Sequence, residues 1–340
     1  MLKLIDYKEL ERIAFSKSRE WGINIQIDET DFSINLPKVL SPQNGIIIFP
    51  KRMTFHLLLY HLICSGAYWG NLLVNINEKL NAALRIDDVE LAEKFKNSYI
   101  DALNKLLENT LSSDDIEYDM RNTILFYLYH ELTHIRIAQQ PNFYEEKMKE
   151  LEMRVRSAGF IVRYLMNRSL KGNDMLREEV ICDLEACIEL RASKKNIMDI
   201  KATLRDVVHT INIMNCIYNL RGAYIDTKQT AISTYMKLTH SNKTNNSISR
   251  FTFIQNYWAK EGVLLSSKEI MQDIVSTTTS LSINQETLDF CQEEIRKDEE
   301  GFINDNATEI SKKIKNEISD METFFVNKII NKFNPQRWHE

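Results

Sequence analysis

The run from Asn122 to Pro141 carries only two formal charges, Glu131 and Arg136, and within it His130-Glu131-Leu132-Thr133-His134 spells H-E-x-x-H. Ile124, Leu125, Phe126, Leu128, Leu132, Ile135 and Ile137 cover nearly every direction around a helical axis, which predicts a helix buried on all sides. The rest of the chain must fold around such a segment. On a helix, positions i and i+4 lie one turn apart on the same face, so both imidazoles can reach a single ion. Glu131 is then a carboxylate in an apolar helix, costly unless a metal, a water or a donor compensates it. Beside a metal-activated water it is placed to act as the general base.

Two histidines do not complete a catalytic Zn2+ site, which typically takes three protein ligands and keeps one position open. No His occurs between His134 and His209, so a third histidine shortly after the motif is excluded. The segment from Arg177 to Arg191 offers five acids instead. At roughly 100° per residue, Val180, Ile181, Leu184 and Ile188 form an apolar face, and Glu178, Glu185 and Glu189 fall on a polar face expected to meet solvent. Glu179 and Asp183 share a stripe flanking the apolar face with Ala186 and Leu190. They are spaced i, i+4, as a ligand and its supporting group would be. Glu179 is therefore assigned to the metal, and Asp183 to the far N–H of a ligand histidine, fixing its tautomer. The plainer alternative is a surface acid pair capped by Arg177 or Arg191.

His130, Glu131 and His134, together with Glu179-Val-Ile-Cys-Asp183-Leu-Glu-Ala186, resemble the gluzincin metallopeptidases. The second segment is similar to the E-x-x-x-D-x-x-A stretch of the membrane-embedded HtpX-type peptidases, but this chain lacks their set of spans. Size and helical content bring it nearer to the Lit-type phage-exclusion peptidases, a bacterial group whose members cleave a host protein. The resemblance covers about residues 119–191. It implies a zincin-like helical core and a zinc-dependent endopeptidase with a protein or peptide substrate, in an antiphage or stress role. A donor for the oxyanion of a tetrahedral intermediate is also needed; His209 is the candidate, with Arg205 and Tyr218 beside it. The competing reading is a non-enzymatic helical interaction protein whose motif is vestigial or holds a structural metal.

With nine Gly and five Pro, the chain has few helix breakers. The expected class is mainly α (α+β), with a small sheet near the start. Ile23, Ile25 and Ile27 alternate with polar residues, Phe32, Ile34 and Leu36 repeat the pattern, and Ile46 to Phe49 form a third short run around the Asn44-Gly45 turn signal. Helices are predicted near 53–76, 87–110, 119–140, 143–168, 174–194, 197–223, 285–299 and 306–333. The polar run Ser241 to Ser249 reads as the main linker, dividing a metallopeptidase domain over 1–240 from a helical region over 250–340, and Ser276 to Ser280 as a lesser break.

Met53 to Ile76 has no acidic or basic residue and is long enough to span a bilayer. His56, His61, Asn71, Asn75 and the Ser65-Gly66 break argue for a buried helical hairpin instead. The five cysteines are odd in number and scattered, without a C-x-x-C pair, and no secretory h-region follows Met1; both point to the cytoplasm. A net charge of -5 without a basic block excludes an electrostatic footprint for nucleic acid. No G-x-S-x-G, P-loop or G-x-G-x-x-G motif occurs, so the chemistry narrows to metal-assisted hydrolysis.

Overall fold

A computed structural model of the chain describes residues 2–3, 7–28, 37–50, 52–86, 88–113, 118–192, 200–209, 211, 247–260, 262–263, 265–266, 268–269, 272, 275, 283–299 and 309–333. The fold is mainly α with a small N-terminal sheet. After β1 (Leu2–Lys3) and α1 (Tyr7–Trp21) come β2 (Gln26–Asp28), β3 (Lys38–Ser41) and β4 (Ile46–Ile48). Strand β4 is central, parallel to β2 and antiparallel to β3, which leaves β3 at an edge. The turn into β4 needs glycine: Gly45 has φ +68°, and a Cβ there would stand 1.9 Å from the Asn24 carbonyl oxygen. The expected strand through Phe32, Ile34 and Leu36 lies outside the described residues. Strand β3 was not anticipated.

The uncharged stretch from Met53 to Ile76 lies in a helical hairpin, α2 (Met53–Cys64) and α3 (Tyr68–Arg85), turning at Gly66 with φ +94°, and α3 runs on past the expected end into charged residues. No described helix is long and apolar enough to cross a membrane. Helix α4 (Val89–Ser112) starts on Asp88, whose side chain accepts the Leu91 N–H. After β5 (Tyr118–Asp119), which pairs with β1, the motif helix α5 spans Met120–Gln139. Pro141 occupies the first turn of α6 (Pro141–Ser157), where its missing N–H does no harm. The single helix expected over 143–168 is broken at Ala158-Gly159, and α7 covers Phe160–Leu170. Helix α8 (Asp174–Ala192) follows, and residues 200–209 form the described part of α9.

Ser247, Ile248 and Ser249 open helix α10 (Ser247–Lys260) and do not belong to a linker; 241–246 and the lesser break at 276–280 lie outside the described residues. The reason is packing: Phe253, Ile254 and Trp258 of α10 are buried, an environment that a composition-based reading cannot see. Helices α11 (Gln285–Glu299) and α12 (Glu309–Phe333) complete the described chain.

One apolar cluster runs from Leu10 through α2–α5 to Trp258 and to Ile314, Ile318, Phe325 and Ile329 of α12. A second joins Leu151, Val155, Met166 and Leu170 to Val180, Ile181 and Leu184 of α8 and Phe253 of α10. Helix α5 belongs to the first, with Ile124, Phe126, Leu128, Leu132 and Ile135 fully buried, and touches the second through Ile137. Helix α12 is fastened by a buried polar knot in which Glu322 accepts from Arg52 Nε at 2.6 Å and Nη2 at 2.5 Å, and from the Tyr99 hydroxyl.

Candidate metal centre

Helices α5 and α8 pack side by side and bring the motif against the acidic segment. Asp183 Oδ1 lies 2.9 Å from His130 Nδ1, and Glu178 Oε1 lies 2.7 Å from His134 Nδ1. A carboxylate only accepts, so each Nδ1 carries the proton and each Nε2 turns to the other side. The two Nε2 atoms stand 3.2 Å apart. Glu179 Oε2 is 3.4 Å from His130 Nε2, and its Oε1 is 3.6 Å from His134 Nε2.

Those distances provide a test of whether an ion fits. Around a tetrahedral ion with bonds of about 2.0–2.1 Å, ligand atoms stand about 3.3–3.4 Å apart. The two Nε2 atoms, at 3.2 Å, stand at that spacing, and each faces a different oxygen of the Glu179 carboxylate, Oε2 at 3.4 Å and Oε1 at 3.6 Å, so the three side chains converge on a space of the size an ion needs. Nitrogens and carboxylate oxygens are also donors that a divalent metal accepts.

A further candidate donor was missed by the sequence reading. Cys182, fully buried one turn after Glu179, joins His130 and His134 in a group whose donor atoms all lie within 4.8 Å of one another, and this group can bind a metal ion. Glu179 is the other candidate for a third donor beside the two histidines. Each of its oxygens faces one Nε2, and although burial opposes it, His130, Arg250 and His134 hold its carboxyl well below the usual range, as an anion. Burial and the surrounding carboxylates push the Cys182 thiol well above its ordinary value, so it must lose a proton before it can bind.

The remaining electrostatics follow from crowding of acids. Burial pulls the His130 imidazole down, but the hydrogen bonds and charges of Asp183 and Glu179 outweigh it and raise the group to about 10. Asp183 is lowered: burial acts against this, while Arg250 and His130 favour the carboxylate. Glu131 Oε2 accepts the Val39 N–H of edge strand β3 at 2.8 Å.

The expectation for α8 needs correction. Glu178, Glu185 and Glu189 do not form a solvent face. Glu178 holds His134, Glu185 is 7 % exposed and pairs with Lys147 at 2.7 Å, and Glu189 pairs with Lys17 at 2.7 Å. Helix α8 is enclosed by α5, α6, α7 and α10, so its polar side meets groups from other helices, which a wheel drawn for one helix cannot contain. The oxyanion candidates are not gathered here. His209 stands edge-on to the His61 ring, centres 5.7 Å apart, and is not part of the converging donor group. Arg205 pairs with Glu269 at 2.9 Å while more than half exposed, and Tyr218 lies outside the described residues. A cavity of about 400 Å³ between α6, α7 and α8, floored by Leu151, Val155 and Leu170, is lined by none of the centre's residues.

Glu178 and Arg250 were also missed. Arg250 Nε and Nη2 each donate to Asp183 at 2.5 Å. Glu178 could have been found from its neighbour's role, but nothing local marks Arg250, 67 residues after its partner. Compared with family models, curated proteins and solved structures, the chain matches none.

Proposed function

We propose that the chain is a zinc-dependent endopeptidase that hydrolyses a peptide bond in a cytosolic protein. The observation that carries this reading is the convergence of His130 Nε2, His134 Nε2 and the Glu179 carboxylate within 3.2–3.6 Å, beside Glu131 on the same turn of α5. His130, His134 and Glu179 would hold the ion. A bound zinc supplies Lewis acidity, which makes a water nucleophilic near neutral pH and polarises a carbonyl. Glu131 takes the proton of the attacking water and delivers it to the leaving amine. The Val39 N–H, on Oε2, orients that carboxylate. Asp183 and Glu178 keep both imidazoles in the Nδ1–H tautomer, so that Nε2 alone faces the ion. The resemblance to the Lit-type group supports a host-protein substrate and a role in phage exclusion or stress.

Metal analysis of the purified chain and of Glu131→Gln is the test. One zinc per chain is expected in both, with new N-termini generated in a cell extract falling about 10²–10⁴-fold in the variant. Full cleavage by Glu131→Gln would sink the mechanism.

Cys182 favours a second reading: a closed four-ligand site serving a helical interaction protein. Cobalt substitution separates the two. A thiolate-to-cobalt charge-transfer band that Cys182→Ser abolishes supports closure by Cys182, and a spectrum without that band supports the open, hydrolytic centre.

A further inference from the structure

Arg250 is buried to 8 % exposure within α10, and every ion pair described for it ends on the centre. Its Nε meets Asp183 Oδ2 and its Nη2 meets Asp183 Oδ1, both at 2.5 Å, while Nη1 lies 3.7 Å from Glu179 Oε2. We propose that Arg250 is a positioning residue of the metal centre: its fork clamps the Asp183 carboxylate that holds His130, and so aims His130 Nε2 at the ion. The inference rests on the metal reading given above and adds to it a residue outside the motif and ligand segments.

The geometry argues for this role in three steps. Asp183 Oδ1 is shared between Arg250 Nη2 and His130 Nδ1, and Oδ2 is taken by Arg250 Nε, so both oxygens are fixed and the carboxylate plane cannot turn. A histidine hydrogen-bonded to a fixed carboxylate inherits that orientation. The third nitrogen, Nη1, stands 3.7 Å from Glu179 Oε2, the oxygen that also faces His130 Nε2, so the same guanidinium reaches the proposed ligand. A buried ion pair also adds little stability over apolar packing of the same volume, so a stabilising role alone is a weak reason for burying two charges. The arginine is itself held firmly, because Phe253, Ile254 and Trp258 of the same helix are buried in the two apolar clusters. Lysine could supply the charge but not the planar two-pronged contact.

The full chain and the variants R250Q, R250K, D183N and R250Q/D183N are compared for zinc affinity by competition with a chromogenic chelator, alongside urea midpoints and the ligand-field spectrum of the cobalt forms. R250Q is expected to weaken zinc about 10–100-fold. R250K, which keeps the charge and loses the fork, should fold and weaken zinc several-fold, with an altered cobalt spectrum. Because Arg250 acts through Asp183, R250Q/D183N should bind zinc no more weakly than the worse single variant. Wild-type affinity in R250K, a lowered urea midpoint in R250Q with zinc affinity unchanged or tightened, or additive losses in the double variant would each overturn the proposal. A wild-type chain that takes up no zinc overturns the metal reading and this inference together. A wild-type chain that binds zinc while R250Q binds it equally well removes the role of Arg250 alone.

Discussion

His130 and His134 can turn their Nε2 atoms to a common point only because a carboxylate takes each Nδ1, and those two carboxylates differ in surroundings. Asp183 is buried and clamped, whereas Glu178 is 40 % exposed and free to exchange its partner for water. Glu178→Gln is therefore expected to weaken metal binding less than D183N, within the roughly 10–100-fold range of such supports, as chelator competition would show. In the metal-free chain the His130 pair makes stability depend on pH. His130 is raised to about 10 from an unfolded value of about 6.5, so its contribution is complete below about 6.5 and disappears as pH rises through 10. Glu179 and Asp183 are lowered, so their contribution is present above about 4.5 and fades as pH falls below it. Urea midpoints measured with chelator should peak between about pH 4.5 and 6.5. A midpoint rising steadily to pH 10 would contradict the pairing. H-E-x-x-H and the i, i+4 acids were legible in the sequence because each rests on helical spacing. Arg250 was not, because its contact spans 67 positions.

At the scale of elements, the sheet matters through its edge. Strand β3 reaches Glu131 only because β4 is held in register between β2 and β3, and that register depends on the Gly45 turn. Gly45→Ala is expected to cost about 1–3 kcal/mol from the backbone conformation alone, more with the Asn24 clash, and to loosen the Val39–Glu131 contact. Urea unfolding together with exchange of the Val39 amide would detect both effects. The breaks between helices were partly readable, since Pro141 and Ser65-Gly66 fall where helices end. The surroundings of α8 were not. Its acids alternate with apolar residues in a way that fits a half-exposed helix, and only packing against four others turns Glu178, Glu185 and Glu189 into inter-helix partners.

Over the whole molecule, α12 joins the core through Ile314, Ile318, Phe325 and Ile329 and through Glu322. Glu322→Gln removes the counter-charge of buried Arg52 and is expected to cost about 3–5 kcal/mol, while Arg52→Met with Glu322→Leu should recover most of that loss. Chemical denaturation of the two variants tests this, and a double variant no more stable than the single one would count against the knot. Chelation should lower the melting temperature without unfolding the chain, because the α5–α8 contact is already held by apolar packing and by the His130–Asp183 pair. The sequence alone determined that the fold is mainly α with a small N-terminal sheet and that α5 is a buried helix presenting two histidines on one face, because periodicity and i, i+4 spacing are local properties of the backbone. Only the tertiary structure decided that α10 closes the centre, that Cys182 and Glu178 face it, and that the acids of α8 are shared among neighbouring helices. Such contacts depend on which surfaces meet after the chain folds back, and no repeat along the chain encodes them.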